Sequence, residues 1–269
     1  MTLRVLTWNL WWRFGPWEER QPAIARVLAE EAPDVVLLQE VWADEDEDQA
    51  VQLAAPFGFH AARTQGGPGP TLANAVLSRW PIAAQREVAL PRADGSPGHR
   101  RALVAELDTP WGRWPVVSTH LEYRFDESDV RELQARAILQ LVAEVRGNPD
   151  EDLPVIVGGD FNAVPDSDEI RLLTGRRAAP VRNLVLSDCW EQVGEGPGLT
   201  WRSDNPYQEG SAWPDRRLDY VFVSWPRPKP VGNPVRAWLA GLGPVDGVVP
   251  SDHAAVVVEL VVPDSAPRE

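Results

Sequence analysis

Short apolar runs recur along the chain: Val35-Val36-Leu37-Leu38, Ala75-Val76-Leu77, Leu103-Val104-Ala105, Val116-Val117, Val155-Ile156-Val157, Tyr220-Val221-Phe222-Val223 and Ala254 to Val262. They are brief, rich in β-branched residues and bounded by Gly, Pro or Asp, which predicts buried strands. Helical periodicity is rarer. Val130, Leu133, Ala137, Leu141 and Val145 follow Ser128 at i, i+3, i+4 spacing, predicting a helix capped by that serine and stopped by Gly147 and Pro149. Pro22 suits a first helical turn ahead of Ile24, Val27 and Leu28, with Pro33 ending that helix. A shorter helix is expected near Ser167. Many strands with a few flanking helices predict two packed sheets covered on the outside by helices.

No repeat or long linker divides the chain, so one domain is expected over 1–262, with 263–269 as a frayed tail. Segments 43–49, 63–70, 91–99, 202–216 and 227–234 read as loops. The acidic run Asp44 to Asp48 reads as a solvated face or a helix N-terminus. With 43% hydrophobic and 25% charged residues, the composition excludes disorder and coiled coil.

Charge changes the picture. The 40 acidic and 26 basic residues leave a net charge of −14, which counts against a broad electrostatic grip on polyanions without excluding a local basic cleft. The 13 tryptophans are expected mainly in the core. The single cysteine, Cys189, allows no internal disulfide and is expected to be buried. No apolar stretch approaches the ~20 residues of a membrane helix. The chain opens on strand-like Leu3-Arg4-Val5-Leu6 without a signal segment, so the expected address is the cytoplasm. Nothing calls for a protein partner, and a monomer is expected.

Polar residues sit where the strands end. Asn9 follows the first strand, Glu40 follows Val35 to Gln39, His120 follows Val116 to Thr119, and Asp160 and Asn162 follow Val155 to Gly159. Asp219 and Asp252-His253 instead lie where apolar strands begin. Opposite strand directions would gather all of them on one rim, with Asp219 and His253 on two neighbouring parallel strands. Each alone has a plainer reading: Gly-Gly-Asp-Phe-Asn as a turn, Ser251-Asp252-His253 as a capped strand entry, Glu40 as an exposed strand end. Their joint order is harder to attribute to turns, because a buried carboxylate is costly unless it is paired or binds metal.

Leu6-Thr7-Trp8-Asn9, Gln39-Glu40, Ser118-Thr119-His120-Leu121, Gly159-Asp160-Phe161-Asn162, Arg217-Leu218-Asp219-Tyr220 and Ser251-Asp252-His253 together resemble the motif series of the endonuclease/exonuclease/phosphatase superfamily. The resemblance runs from about 3 to 262. It implies an α/β four-layer sandwich, two mixed β-sheets packed face to face with helices on both outer faces, and divalent-metal-dependent hydrolysis of phosphodiesters or phosphomonoesters. Mg²⁺ or Mn²⁺ suits such a site; one Cys and four His argue against zinc.

The resemblance further implies that Glu40 is the main metal ligand, joined by Asp252 or by water that Asp252 holds. His253 becomes general base or phosphate holder, oriented by Asp219. Asp160 aligns the attacking water, Asn9 and Asn162 donate to the phosphate, and His120 stabilises or protonates the leaving group. Division of the base role between Asp160 and His253 stays open. His60 is expected to be structural and His99 to lie in a loop.

The substrate expected is a phosphoester: nucleic acid, nucleotide or small organophosphate, with a nuclease favoured. The alternative is a sphingomyelinase- or inositol-phosphatase-like hydrolase, although neither an apolar membrane hairpin nor a basic phosphate motif is evident. A more remote reading is a non-catalytic binding protein on the same scaffold. Arg101, Tyr207, Trp213 and Arg216 are the candidate substrate contacts, because arginine and aromatic groups can bind phosphate and stack on bases.

Overall fold

The computed structural model describes residues 2–65 and 71–264. Part of the expected 63–70 loop (66–70) and part of the expected tail (265–269) lie outside the described residues. In chain order the elements are β1 (Thr2–Asn9), α1 (Trp17–Glu31), β2 (Val35–Ala43), α2 (Gln49–Ala54), β3 (His60–Arg63), β4 (Thr71–Ser78), β5 (Ile82–Pro91), β6 (Pro97–Thr109) and β7 (Gly112–His120). Then follow α3 (Ser128–Val145), β8 (Ile156–Asp160), α4 (Asp168–Leu173), β9 (Val185–Asp188), α5 (Cys189–Val193), β10 (Asp219–Trp225), β11 (Pro234–Ala240) and β12 (Ala255–Val261).

Two six-stranded sheets result, one ordered β11-β12-β1-β2-β4-β3 and the other β5-β6-β7-β8-β10-β9. Both are mixed: β1 runs parallel to β2 and β7 to β8, while β12 and β10 run antiparallel to β1 and β8. Their inner faces interdigitate through Leu3, Val5, Val35 and Leu37 from one sheet and Leu103, Val116, Ile156 and Val221 from the other. Ile24, Val27 and Leu28 of α1 cover the first sheet, and Ile138, Leu139 and Val142 of α3 cover the second. The expected four layers are therefore observed. Among the described residues no helix is long and apolar enough to cross a membrane.

Several local expectations needed correction. Helix α1 begins at Trp17, so Pro22 lies inside it rather than in its first turn. Ser128 does not cap α3: Glu127 occupies that position, and Ser128 Oγ instead donates to Glu169 Oε2 at 2.9 Å. The buried stripe of α3 runs through Val130, Gln134, Ile138 and Leu141, leaving Leu133, Ala137 and Val145 half-buried. Segment 91–99 is mostly the turn of a β5–β6 hairpin, whose strands reach Pro91 and start again at Pro97. The acidic run leads into α2, where the Asp48 carboxylate accepts from Val51 N at 3.2 Å. Trp8, Trp42 and Trp114 are buried as expected, while Trp213 and Trp225 stay exposed. Cys189 is buried.

Strand β8 shows why small residues precede the site. A Cβ on Gly159 would lie 2.0 Å from the Thr119 carbonyl oxygen, and one on Gly158 would meet Leu37 of the facing sheet at 2.6 Å. Only glycines let β8 nest this closely.

Candidate active site

Strand direction assembles the site. Parallel β1 and β2 run to one rim, where β1 ends with Asn9 beside Gln39; Glu40 follows one residue on, not at the strand end expected but inside β2, which continues to Ala43. Parallel β7 and β8 terminate at the same rim with His120 opposite Asp160. Because β10 is antiparallel to β8, its first residue Asp219 pairs with the last residue of β8, Asp160. Strand β12 is antiparallel to β1, so the Ser251-Asp252-His253 entry returns to Asn9. Asp219 and His253 thus come from strands of the two facing sheets, not from neighbours within one sheet; they meet across the sandwich.

Contacts there are short and specific. His253 Nδ1 lies 2.8 Å from Asp219 Oδ2. Asp160 Oδ2 lies 3.8 Å from His253 Nε2 and 3.5 Å from His120 Nε2. Asn9 Nδ2 donates to Asp160 Oδ2 at 3.0 Å and to Glu40 Oε1 at 3.2 Å. Asn162 N donates to Asp160 Oδ1 at 2.9 Å, and its Nδ2 donates to the Leu121 carbonyl at 3.2 Å. Glu40 and Asn162, at φ 53° and 49°, hold left-handed backbone conformations. Glu40 also lies within the register shift of β2 between Leu38 and Val41, the kind of bulge that re-aims a side chain.

Supporting contacts were not legible in the sequence. Trp8 Nε1 donates to the His253 carbonyl at 2.9 Å, and Ser251 Oγ donates to the Asn9 carbonyl at 2.6 Å. Buried Arg20 donates to the carbonyls of Leu10, Trp11, Trp12, Phe14 and Pro250, clamping the loop after β1 to the loop before β12.

Residues 6–253 match the profile of the endonuclease/exonuclease/phosphatase family. The chain belongs to that family. Protein angel homolog 2 of Danio rerio is 27% identical over 173 residues, 60% of this chain and 30% of that protein. The chain spans less than two thirds of the length of the curated relatives it matches. Among solved structures, D. rerio TDP2 complexed with single-stranded DNA product superposes with TM-score 0.77 at 22% identity, covering 97% of this chain and 99% of that one. A family member from Beutenbergia cavernae superposes at 0.71 with 27% identity, covering 96% and 71%.

The electrostatics suit this family's chemistry. Burial and the nearby Asp252 raise Glu40 to about 7, and burial with the neighbouring Asp219 raises Asp160 to about 6. Burial also raises Asp252. Burial alone would lower His253, but Asp219, Asp160 and Asp252 outweigh it and hold the imidazole well above its ordinary value. His120 falls well below its own, through burial and then the Arg100 charge. A divalent cation fits this surplus of buried anions. Asp219 Oδ1 has no hydrogen-bond partner, and ligand atoms of Asp160, Asp219 and His253 fall within 4.8 Å of one another. Glu40 and Asp252 line the same cavity, near enough for Asp252 to raise Glu40, and both offer carboxylate oxygens to such a cation. An oxygen-rich set suits a hard cation.

The family's predicted core residues converge. Asn9, Glu40, His120, Asp160, Asn162, Asp252 and His253 line one open cavity of about 790 Å³, with Asp219 directly behind His253. The predicted substrate contacts divide. Arg101 lines the cavity but pairs with Glu87 at 2.7 Å. Tyr207 packs on Trp11, with ring centroids 4.4 Å apart, and donates to the Val249 carbonyl; it supports the wall rather than lining it. Trp213 stacks on Phe125 at 4.0 Å and Arg216 sits over both rings, outside the cavity lining. His99 lies in β6 and lines the cavity, contrary to the loop expected, and His60 is exposed in β3. Arg100, Trp11 and Phe14 line the cavity without having been singled out.

Proposed function

We propose that the chain is a phosphodiesterase of nuclease type, acting on unpaired nucleic acid or its ends with Mg²⁺ or Mn²⁺. The observation that carries this reading is the Asp219–His253 pair facing Asp160 and His120 across one open cavity. Exposed aromatic side chains, Phe14 and Tyr123, line that cavity. Aromatic faces suit unpaired bases, whereas a net charge of −14 opposes tracking along duplex. Similarity to TDP2 bound to single-stranded DNA product is consistent with this preference.

Charge state supports one division of the roles. His253, held as imidazolium by three carboxylates, has no free lone pair at neutral pH; it donates to a phosphoryl oxygen. Asp160 keeps an acceptor oxygen towards the cavity and takes the proton of the attacking water, with Asn9 and the Asn162 amide fixing its plane. His120, kept neutral, donates a hydrogen bond to the leaving oxygen rather than a proton. Asn162 Nδ2 is turned to Leu121, so its contribution is to orient the strand end. Glu40 and Asp252 would hold the divalent cation, which as a Lewis acid offsets charge on the phosphoryl oxygens.

A panel of single-stranded and duplex DNA, RNA, nucleotides, sugar phosphates and phospholipids, each with Mg²⁺, Mn²⁺ or chelator, tests this reading. Single strands should be cleaved at least about tenfold faster than duplex, and only with cation, since duplex contacts weaken steeply with salt. Preference for a phospholipid or sugar phosphate would overturn the nuclease reading.

A further inference from the structure

Among the described residues five arginines are buried: Arg20, Arg100, Arg131, Arg217 and Arg227. Four have built partners. Arg20 holds backbone carbonyls, Arg131 holds Glu169 and two carbonyls, Arg217 holds Asp188, and Arg227 holds Ser187, Asn233 and a carbonyl. Arg100 is different. Its side chain is 9% exposed and makes no hydrogen bond among the described residues, whereas Arg20 and Arg227, whose Nε is likewise unpartnered, donate through their terminal nitrogens; its nearest carboxylate oxygen among those residues, Glu122 Oε2, is 4.0 Å away. That separation offsets charge but makes no hydrogen bond. Glu122 is itself committed, accepting from Tyr123 N at 3.0 Å through its other oxygen. The Tyr123 ring lies 5.5 Å from the guanidinium.

Burying a guanidinium without hydrogen bonds is costly, and the one direction left for its donors is the cavity that Arg100 lines beside His120. We propose that Arg100 is the anion seat of this cavity, where its planar fork takes non-bridging phosphoryl oxygens of the substrate. An arginine fork matches a phosphate's oxygens in geometry as well as in charge, so the seat selects phosphoesters over neutral esters. This deepens the phosphodiesterase reading and rests on it for the substrate, but anion binding itself needs no turnover.

The test is calorimetric titration of inorganic phosphate into the wild type, Arg100→Met, Arg100→Lys and Arg86→Met, with thermal melting in phosphate-free buffer. Arg86, paired with Glu144 on the surface, controls for the loss of one positive charge. Arg100→Met should weaken phosphate at least about tenfold, Arg100→Lys should fall between, and Arg86→Met should stay within about twofold of wild type. Arg100→Met should also melt no lower than wild type, because it removes an unsatisfied buried charge, whereas Arg217→Met should melt lower. Unchanged phosphate affinity in Arg100→Met would overturn the proposal. So would a fall in melting temperature as large as that of Arg217→Met, the mark of a structural arginine. If Arg100→Met does not fold, Arg100→Gln takes its place with the same expectations. Hydrolysis of bis(p-nitrophenyl) phosphate by wild type decides the phosphodiesterase reading separately.

Discussion

The two ends of the sandwich are built from the same strands and treat charge in opposite ways. Strand β7 begins at Gly112, in a tight turn where Thr109 Oγ1 donates to the Gly112 carbonyl, and neighbouring Asp108 and Arg113 meet at 3.6 Å with side chains 56% exposed. Trp80, Trp111 and Trp114 close that end with edge-on ring contacts. The same strand ends at buried His120, where Asp160, Asp219 and His253 are also nearly inaccessible. At the far end charge stays in water and stabilises little. At the near end charge is desolvated, crowded and shifted in pKa, an arrangement that suits catalysis more than stability.

The sharpest way to break this contrast is to remove one member of the buried dyad. Asp219→Asn should lower kcat by roughly 10²–10³, the range for a misdirected donor to transition-state charge, while KM moves little. Steady-state kinetics should also show Asp219→Asn/His253→Ala hardly slower than His253→Ala, because the two act as a unit. Multiplying losses would separate them.

Arg217→Met comes next. It leaves the Asp188 carboxylate buried without its partner at 2.7 Å, and urea denaturation should report a loss of about 3–5 kcal/mol. A loss below about 1 kcal/mol would mean the near end tolerates uncompensated charge.

Glu40→Gln should abolish calorimetric Mg²⁺ and Mn²⁺ binding while the fold persists. Its effect on stability has a definite sign. Glu40 titrates near 7 in the cation-free folded chain, against an ordinary value of 4.5. Over that window the folded chain retains a proton the unfolded chain has released, so this group subtracts stability as pH rises and none below the ordinary value. The melting temperature of cation-free Glu40→Gln should therefore gain on wild type from about pH 4.5 to 7 and level off above. A constant difference would contradict the burial of the charge.

The smallest effect belongs to the far end. Asp108→Asn should change stability by less than about 0.5 kcal/mol and leave kcat unaltered, as expected for an exposed ion pair.

How much of this was legible in the sequence depends on which physical signal each residue gives. Strand ends are clear in the sequence where apolar runs stop at Asn9, His120 and Asp160; Glu40 instead interrupts β2 at a bulge, after which the strand continues to Ala43. The helix limits were not. Pro22 is compatible with a first turn or with a position one turn later, and only the packing of Trp17 on Trp42 extends α1 backwards. The outer strand β5 escaped notice because its residues from Ala83 to Glu87 are mostly exposed and carry no apolar run. The sequence does not separate Arg101 from Arg100: the two adjoin, both line the cavity, and only Arg101 is tied up by a close carboxylate. Which of them meets an acid depends on Glu87, from the partner strand β5. The link between Asp219 and His253 was anticipated, but its route between sheets was not: antiparallel return explains a shared rim equally well within one sheet or across two.

That route has a mechanical consequence. Chain 82–225 builds the sheet that carries Asp219, while segments before and after it build the sheet that carries His253. The 2.8 Å contact between them is therefore a gauge of how the two sheets are seated on one another. A sliding motion of one ångström between layers would leave every strand ladder intact and part the acid from its histidine. On gentle heating, or in low concentrations of urea, turnover should fail before circular dichroism registers any loss of sheet.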